Sequence, residues 1–114
     1  MRTISELVSS ANSVRENQFS DNQKMEWIAA LDGQINADYL HVSNYSVPTK
    51  LTDKILVDAP YDEMYVVYLL AQMDFYMGEM TRYNAEIARF QTMLDSYSAY
   101  VERNISRPEI KIKW

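Results

Sequence analysis

Apolar residues recur at helical spacing along most of this chain. Ile4, Leu7, Val8 and Ala11 fall on one face of a helix expected over Thr3–Val14. Thr3 and Glu6 stand at capping-box spacing, where hydroxyl and carboxylate each satisfy an orphan amide. The spacing repeats at Ser20 and Gln23 and opens a second helix, whose stripe is Trp27, Ile28, Leu31, Ile35 and Tyr39, with Val42 near its end. Gly33 inside that stripe costs helix stability relative to Ala. A close packing contact is therefore expected there.

The segment from Ser43 to Pro60 breaks the pattern. It holds Pro48 and Pro60, several Ser, Thr and Asn residues, and one apolar triplet, Ile55-Leu56-Val57. Such a long irregular connection in a small domain is usually functional or ordered by a partner. Tyr61–Met77 reads as a third helix with Asp62 and Glu63 in its first turn, where the helix dipole favours anions. It lacks a polar face, so either it is the central helix or part of it meets another subunit. Gly78 breaks the chain before a fourth helix over Glu79–Arg103. There Met80, Tyr83, Ile87, Phe90, Leu94, Tyr97 and Val101 alternate in steps of three and four. The short connection predicts that helices three and four form a long antiparallel hairpin. In Pro108–Trp114, Ile110, Ile112 and Trp114 alternate with Lys111 and Lys113, which is strand periodicity. Ile55–Val57 or a neighbouring subunit is the expected partner edge. The reading is mainly α: one domain over 1–114, a small bundle of about four helices, with an irregular loop at 43–60, an extended tail at 108–114 and room for a short two-strand element.

Composition narrows the chemistry. The chain has 114 residues, only 2 Gly and 3 Pro, and no cysteine, which disfavours turn-rich β folds and excludes disulfides and thiolate chemistry. His41 is the single histidine, near the end of helix two, so histidine catalysis or zinc ligation is not expected. Asp58, Asp62 and Glu63 are the densest carboxylate group, read as charge placement at a helix start rather than a metal site. No cofactor, metal or catalytic residue is expected, and the chain is not read as an enzyme. The net charge of −5 argues against duplex binding, which needs a basic face. A weak basic tail stands apart, with Arg103, Arg107, Lys111 and Lys113 against Glu109. It supports an alternative reading as a small packaging or regulatory protein that binds nucleic acid through that tail. Met1–Leu7 has one Arg and no apolar run, so no secretory leader is expected. The longest apolar run, Met64–Ala71, is far short of the roughly 20 residues a membrane span needs.

The chain has 9 Tyr and 7 Met, residue types enriched at protein interfaces. Tyr68, Tyr83 and Tyr97 are assigned to packing between helices three and four. Tyr45, Val47, Tyr65, Tyr76, Ile110, Ile112 and Trp114 are the candidates for contact with other subunits.

A wider pattern runs from Pro60-Tyr61-Asp62-Glu63-Met64-Tyr65 through Tyr68-Leu69-Leu70-Ala71-Gln72-Met73-Asp74, Gly78-Glu79 and Arg82-Tyr83-Asn84 to Phe90, Tyr97, Tyr100 and Arg107-Pro108. Upstream, Lys24-Met25-Glu26-Trp27-Ile28 and Leu31-Asp32-Gly33-Gln34-Ile35 fit it too. Together these residues resemble the small helical head–tail connector (adaptor) proteins of tailed bacteriophages and prophages of Gram-positive bacteria. The resemblance covers most of the chain except Ser43–Leu56. It implies a non-enzymatic virion protein of the neck region, assembled in the host cytoplasm. It further implies a homo-oligomeric ring that docks beneath the portal protein, extends the DNA channel and receives a tail-completion protein. DNA would pass without sequence-specific binding, and no membrane is involved.

Overall fold

A computed structural model of the chain describes residues 2–104. It contains four α-helices: α1 (Ile4–Val14), α2 (Asp21–Ile35), α3 (Glu63–Met77) and α4 (Met80–Asn104). The expected capping box closes α1: the Glu6 amide donates to the Thr3 hydroxyl, and the Thr3 amide donates to the Glu6 carboxylate. Ser20 caps α2 by accepting from the Gln23 amide. α2 then widens into one π-helical turn, Asn36–Leu40. His41, in a left-handed conformation, ends it by donating its amide to the Asn36 carbonyl. Gly78 ends α3, again left-handed, at a φ of 78° that glycine adopts without steric cost.

Helices α1, α2 and α4 all pack against α3. This settles why α3 lacks a polar face. Its body is the centre of the bundle, and Met64, Tyr65, Val66, Val67, Leu69, Leu70, Ala71 and Met73 are all buried within one chain. Burying a large apolar side chain contributes about 1.5–3 kcal/mol, so this helix anchors the fold. Ile4, Leu7, Val8 and Ala11 cover it from α1, and Trp27, Ile28, Leu31 and Ile35 complete the core from α2. From α4, Phe90, Tyr97 and Val101 of the three-four stripe are buried, Tyr83, Ile87 and Leu94 are half-buried, and Met80 is exposed. Tyr61 packs on Tyr97 and Tyr100, Tyr68 on Phe90, and Phe75 on Tyr83.

The irregular segment is tied down by the start of the chain. Ile4 and Ser5 donate their amides to the carbonyls of Asp53 and Leu51, and the Ile55 amide donates to the Arg2 carbonyl. Thr3 and Lys54 form an isolated antiparallel bridge. The N-terminal segment thus runs beside Lys54 and Ile55 before entering α1, and no two-strand element forms among the described residues. Ile55 and Val57 are buried in the core, as a loop and not a strand. The tail itself, with the expected strand at 108–114, lies outside the described residues.

Candidate assembly surface

Two buried carboxylates set the shape around which the surface is built. Asp32, on α2, is fully buried. Its Oδ1 accepts from the Tyr65 hydroxyl at 2.6 Å and the Leu56 amide at 3.0 Å, and its Oδ2 accepts from the Tyr45 hydroxyl at 2.7 Å. A buried carboxylate needs such donors, since an unpaired one would carry a heavy desolvation penalty. The cluster fastens the 43–60 segment to α2 and α3. Burial, followed by the Asp32 charge and hydrogen bond, pushes the Tyr65 hydroxyl far above the usual phenol range. Burial and the Asp32 hydrogen bond raise Tyr45 as well. Tyr97 is pushed up to about 12 by burial, then by the neighbouring Tyr100, Asp58 and Asp32.

The second carboxylate is Asp74, in the last turns of α3, where the helix dipole disfavours an anion. It is held by cations. Arg15 Nη1 meets Oδ2 at 2.6 Å, and Arg82 Nε lies 3.3 Å from Oδ1, close enough for attraction but not aligned as a hydrogen bond. The other arm of Arg15 reaches Glu86 at 3.4 Å. The ion pairs of Asp74 therefore clasp α1, α3 and α4 just below the turn at Gly78. Elsewhere, buried Lys24 ties α2 to α1 by donating to Asn12 Oδ1 at 2.7 Å.

Above that clasp the chain stops hiding its apolar groups. Phe75, Tyr76 and Met77 of the last turn of α3 and Met80 of the first turn of α4 are exposed, Tyr76 by 60% and Phe75 and Met80 by 46% each. The rings join into one surface: Phe19 meets Trp27 edge-on, Trp27 stacks on Tyr76 at 5.6 Å, Tyr76 meets Phe75, and Phe75 meets Tyr83. A groove of about 560 Å³ beside Met77 is lined by Glu16, Asn17, Gln18 and Phe19. This aromatic and methionine corner is a contiguous exposed apolar patch, the kind of surface from which an interaction site is argued.

The candidate residues divide accordingly. Tyr76 lies at the centre of the corner. Val47 is exposed on the 43–60 segment, and its Cγ2 lies 3.7 Å from where a Cβ on Gly33 would stand, so the packing contact expected at Gly33 is made by this loop at ordinary van der Waals distance. Tyr45 is half-buried, with its hydroxyl committed to Asp32. Tyr65 is corrected: it is fully buried and serves the core and Asp32, not a surface. Ile110, Ile112 and Trp114 lie outside the described residues, as do Arg107, Lys111 and Lys113 of the basic tail. Phe75, Met77 and Met80 belong to the surface but are not among the candidates that sequence reasoning supplies. Their signal is an apolar run continuing to the glycine that ends the helix, where the covering helices have already turned away.

At the opposite end, Asp62 and Glu63 lie beside Arg2, with Glu63 at 2.9 Å and Asp62 at 3.7 Å. Among the described residues no group of three or more acidic or histidine side chains is placed to hold a metal ion. Nor is any helix among them long and apolar enough to cross a membrane. Comparison with protein-family models, curated proteins and solved structures finds no match for this chain.

Proposed function

We propose that the chain is a non-enzymatic virion structural protein, a head–tail connector subunit that assembles into a ring under the portal and extends the DNA channel. The observation that carries this reading is the exposed Phe75–Met80 corner, where four large apolar side chains stand side by side. A solitary domain gains nothing from solvating four large apolar side chains side by side, whereas a subunit that works among copies needs such a surface. The resemblance of its residue pattern to phage connectors supplies the class of assembly. In this reading α3 and α4 act as an antiparallel hairpin that projects the corner, and the contact repeats head to tail, which closes into a ring when the rotation allows. The portal and a tail-completion protein are the partners, and the acidic body (15 Asp and Glu against 8 Lys and Arg over residues 2–104) suits a wall past which DNA slides without sticking.

Co-expression with a portal protein from the same gene neighbourhood tests this reading. Recovery of a stable complex of the two is expected. A chain that leaves the portal behind but is retained on DNA at low salt would instead favour the packaging or regulatory alternative.

A further inference from the structure

We propose that the segment 108–114 of one copy docks on the Phe75–Met80 corner of the next copy, so that tail and corner together form the repeating subunit contact. The inference rests on the assembly reading above but adds a definite occupant for the corner.

Distance decides which copy supplies the segment. The corner lies at the start of α4, and the chain passes beyond the described residues at its far end. α4 has 25 residues, so Met80 and Asn104 are separated by about 36 Å. Fully straightened, Ile110 can stand at most about 22 Å and Ile112 about 29 Å from Asn104. Neither can reach the corner of its own chain, and Trp114, at most about 36 Å away with every residue fully straightened, could only touch it with Ile110 and Ile112 left behind, so one chain cannot seat all three on its own corner. A second copy placed end to end has no such restriction.

Chemistry matches as well. The segment Pro108-Glu-Ile-Lys-Ile-Lys-Trp alternates apolar and basic residues, and any extended chain with that alternation offers Ile110, Ile112 and Trp114 on one side. The corner offers a row of aromatic rings with the Met77 groove beside it, a surface for an indole and two isoleucines. Charges are complementary. Residues 2–104 carry 8 basic and 15 acidic residues, a net −7, while residues 105–114 carry 3 basic and 1 acidic, a net +2. At the corner itself Glu16 and Glu79 are exposed, while Arg15 and Arg82 are committed to Asp74. Lys111 and Lys113 therefore meet carboxylates at the rim, where opposite charges favour docking and fix register.

The test uses two full-length variants. One disables the tail (Ile112→Ala with Trp114→Ala) and the other disables the corner (Phe75→Ser with Tyr76→Ser). Circular dichroism and urea unfolding first establish that both fold. In sedimentation, each variant alone is expected to self-associate about thirtyfold more weakly than the parent chain, the scale of one aromatic hot spot. Mixed in equal amounts, they should recover one productive contact, intact tail on intact corner, and form a heterodimer that grows no further. As a direct check, the chain has no cysteine. Trp114→Cys on one copy and Met80→Cys on another should therefore form a disulfide between chains. Parent-like association of either variant, a mixture that stays monomeric, or a parent chain that stays monomeric with no cross-link between the two substituted positions overturns the proposal. Portal capture is scored separately with the same variants. A chain that self-associates through this contact but ignores the portal refutes the connector reading alone. One that binds the portal with the tail disabled and no cross-link refutes this contact alone.

Discussion

Two neighbouring stretches of one helix behave differently. From Met64 to Asp74, α3 is almost wholly buried, covered by α1, α2 and α4. One turn later Phe75, Tyr76 and Met77 are as apolar as what precedes them, yet they face solvent. Residue type does not change along the helix; coverage does. α1 ends at Val14, and its next residue, Arg15, turns back to hold Asp74. Beyond that clasp, among the described residues, the covering helices leave these side chains to solvent. The body of α3 therefore holds the fold together, while its last turn stays exposed, the surface the proposed assembly would use.

This contrast predicts a split between stability and association. The largest effect should come from the buried body. Leu69→Ala removes a fully buried side chain and should cost about 2–5 kcal/mol in urea unfolding, the usual range for a core leucine. Asp32→Ala should cost about 3 kcal/mol, because it strands the Tyr65 hydroxyl and the Leu56 amide inside the protein. Tyr45→Phe removes only one bond to the same carboxylate and should cost about 1 kcal/mol. Were Asp32→Ala no worse than Tyr45→Phe, the carboxylate would not be the hub described above.

Alkali probes the same body. Tyr45, Tyr65, Tyr68 and Tyr97 are all raised when folded, mainly by burial. The native state therefore keeps protons that the unfolded chain releases. Their contribution is complete below the ordinary tyrosine value of about 10 and is lost as pH rises beyond it, through about 12 for Tyr97. Tyrosinate absorbance and helical signal recorded together should show these phenols ionising only as the helices unfold. Smooth ionisation of all nine tyrosines near their ordinary value, with the helices intact, would contradict the buried hydroxyl cluster.

The smallest effect on folding belongs to the corner. Tyr76→Ser should change unfolding by about 1 kcal/mol or less, since it loses one exposed ring stacked on Trp27. The same change should weaken association far more than Leu69→Ala does in whatever fraction stays folded. Sedimentation beside urea unfolding separates the two.

Much of the fold is legible in the residues. Helix positions follow from apolar spacing, the capping at Thr3–Glu6 and Ser20, and the stop at Gly78, because these act within a few residues of each other. What escapes such reading depends on partners far along the chain. Nothing near Asp32 announces that Tyr45, Leu56 and Tyr65 will converge on it, so spacing and composition alone put Tyr65 at a surface. Arg15 meets Asp74 across 59 residues of sequence, and the Ile55 amide meets the Arg2 carbonyl across 53. The π-helical turn at Asn36–Leu40 likewise has no spacing signature. Of the candidate assembly surface, an excess of tyrosine and methionine is visible in the sequence, but which of them stay uncovered depends on where the neighbouring helices end.

Methionine oxidation measures the central claim most directly, because the contrast is written in one residue type. Met64 and Met73 are buried, while Met77 and Met80 lie at the corner. With dilute chain, peroxide should oxidise Met77 and Met80 and spare Met64 and Met73. On raising the concentration, or on adding the portal, Met77 and Met80 should become protected while the buried pair stays unchanged. Equal reactivity of Met77 and Met80 in the free and assembled protein would show that the corner is not where this chain meets its neighbours.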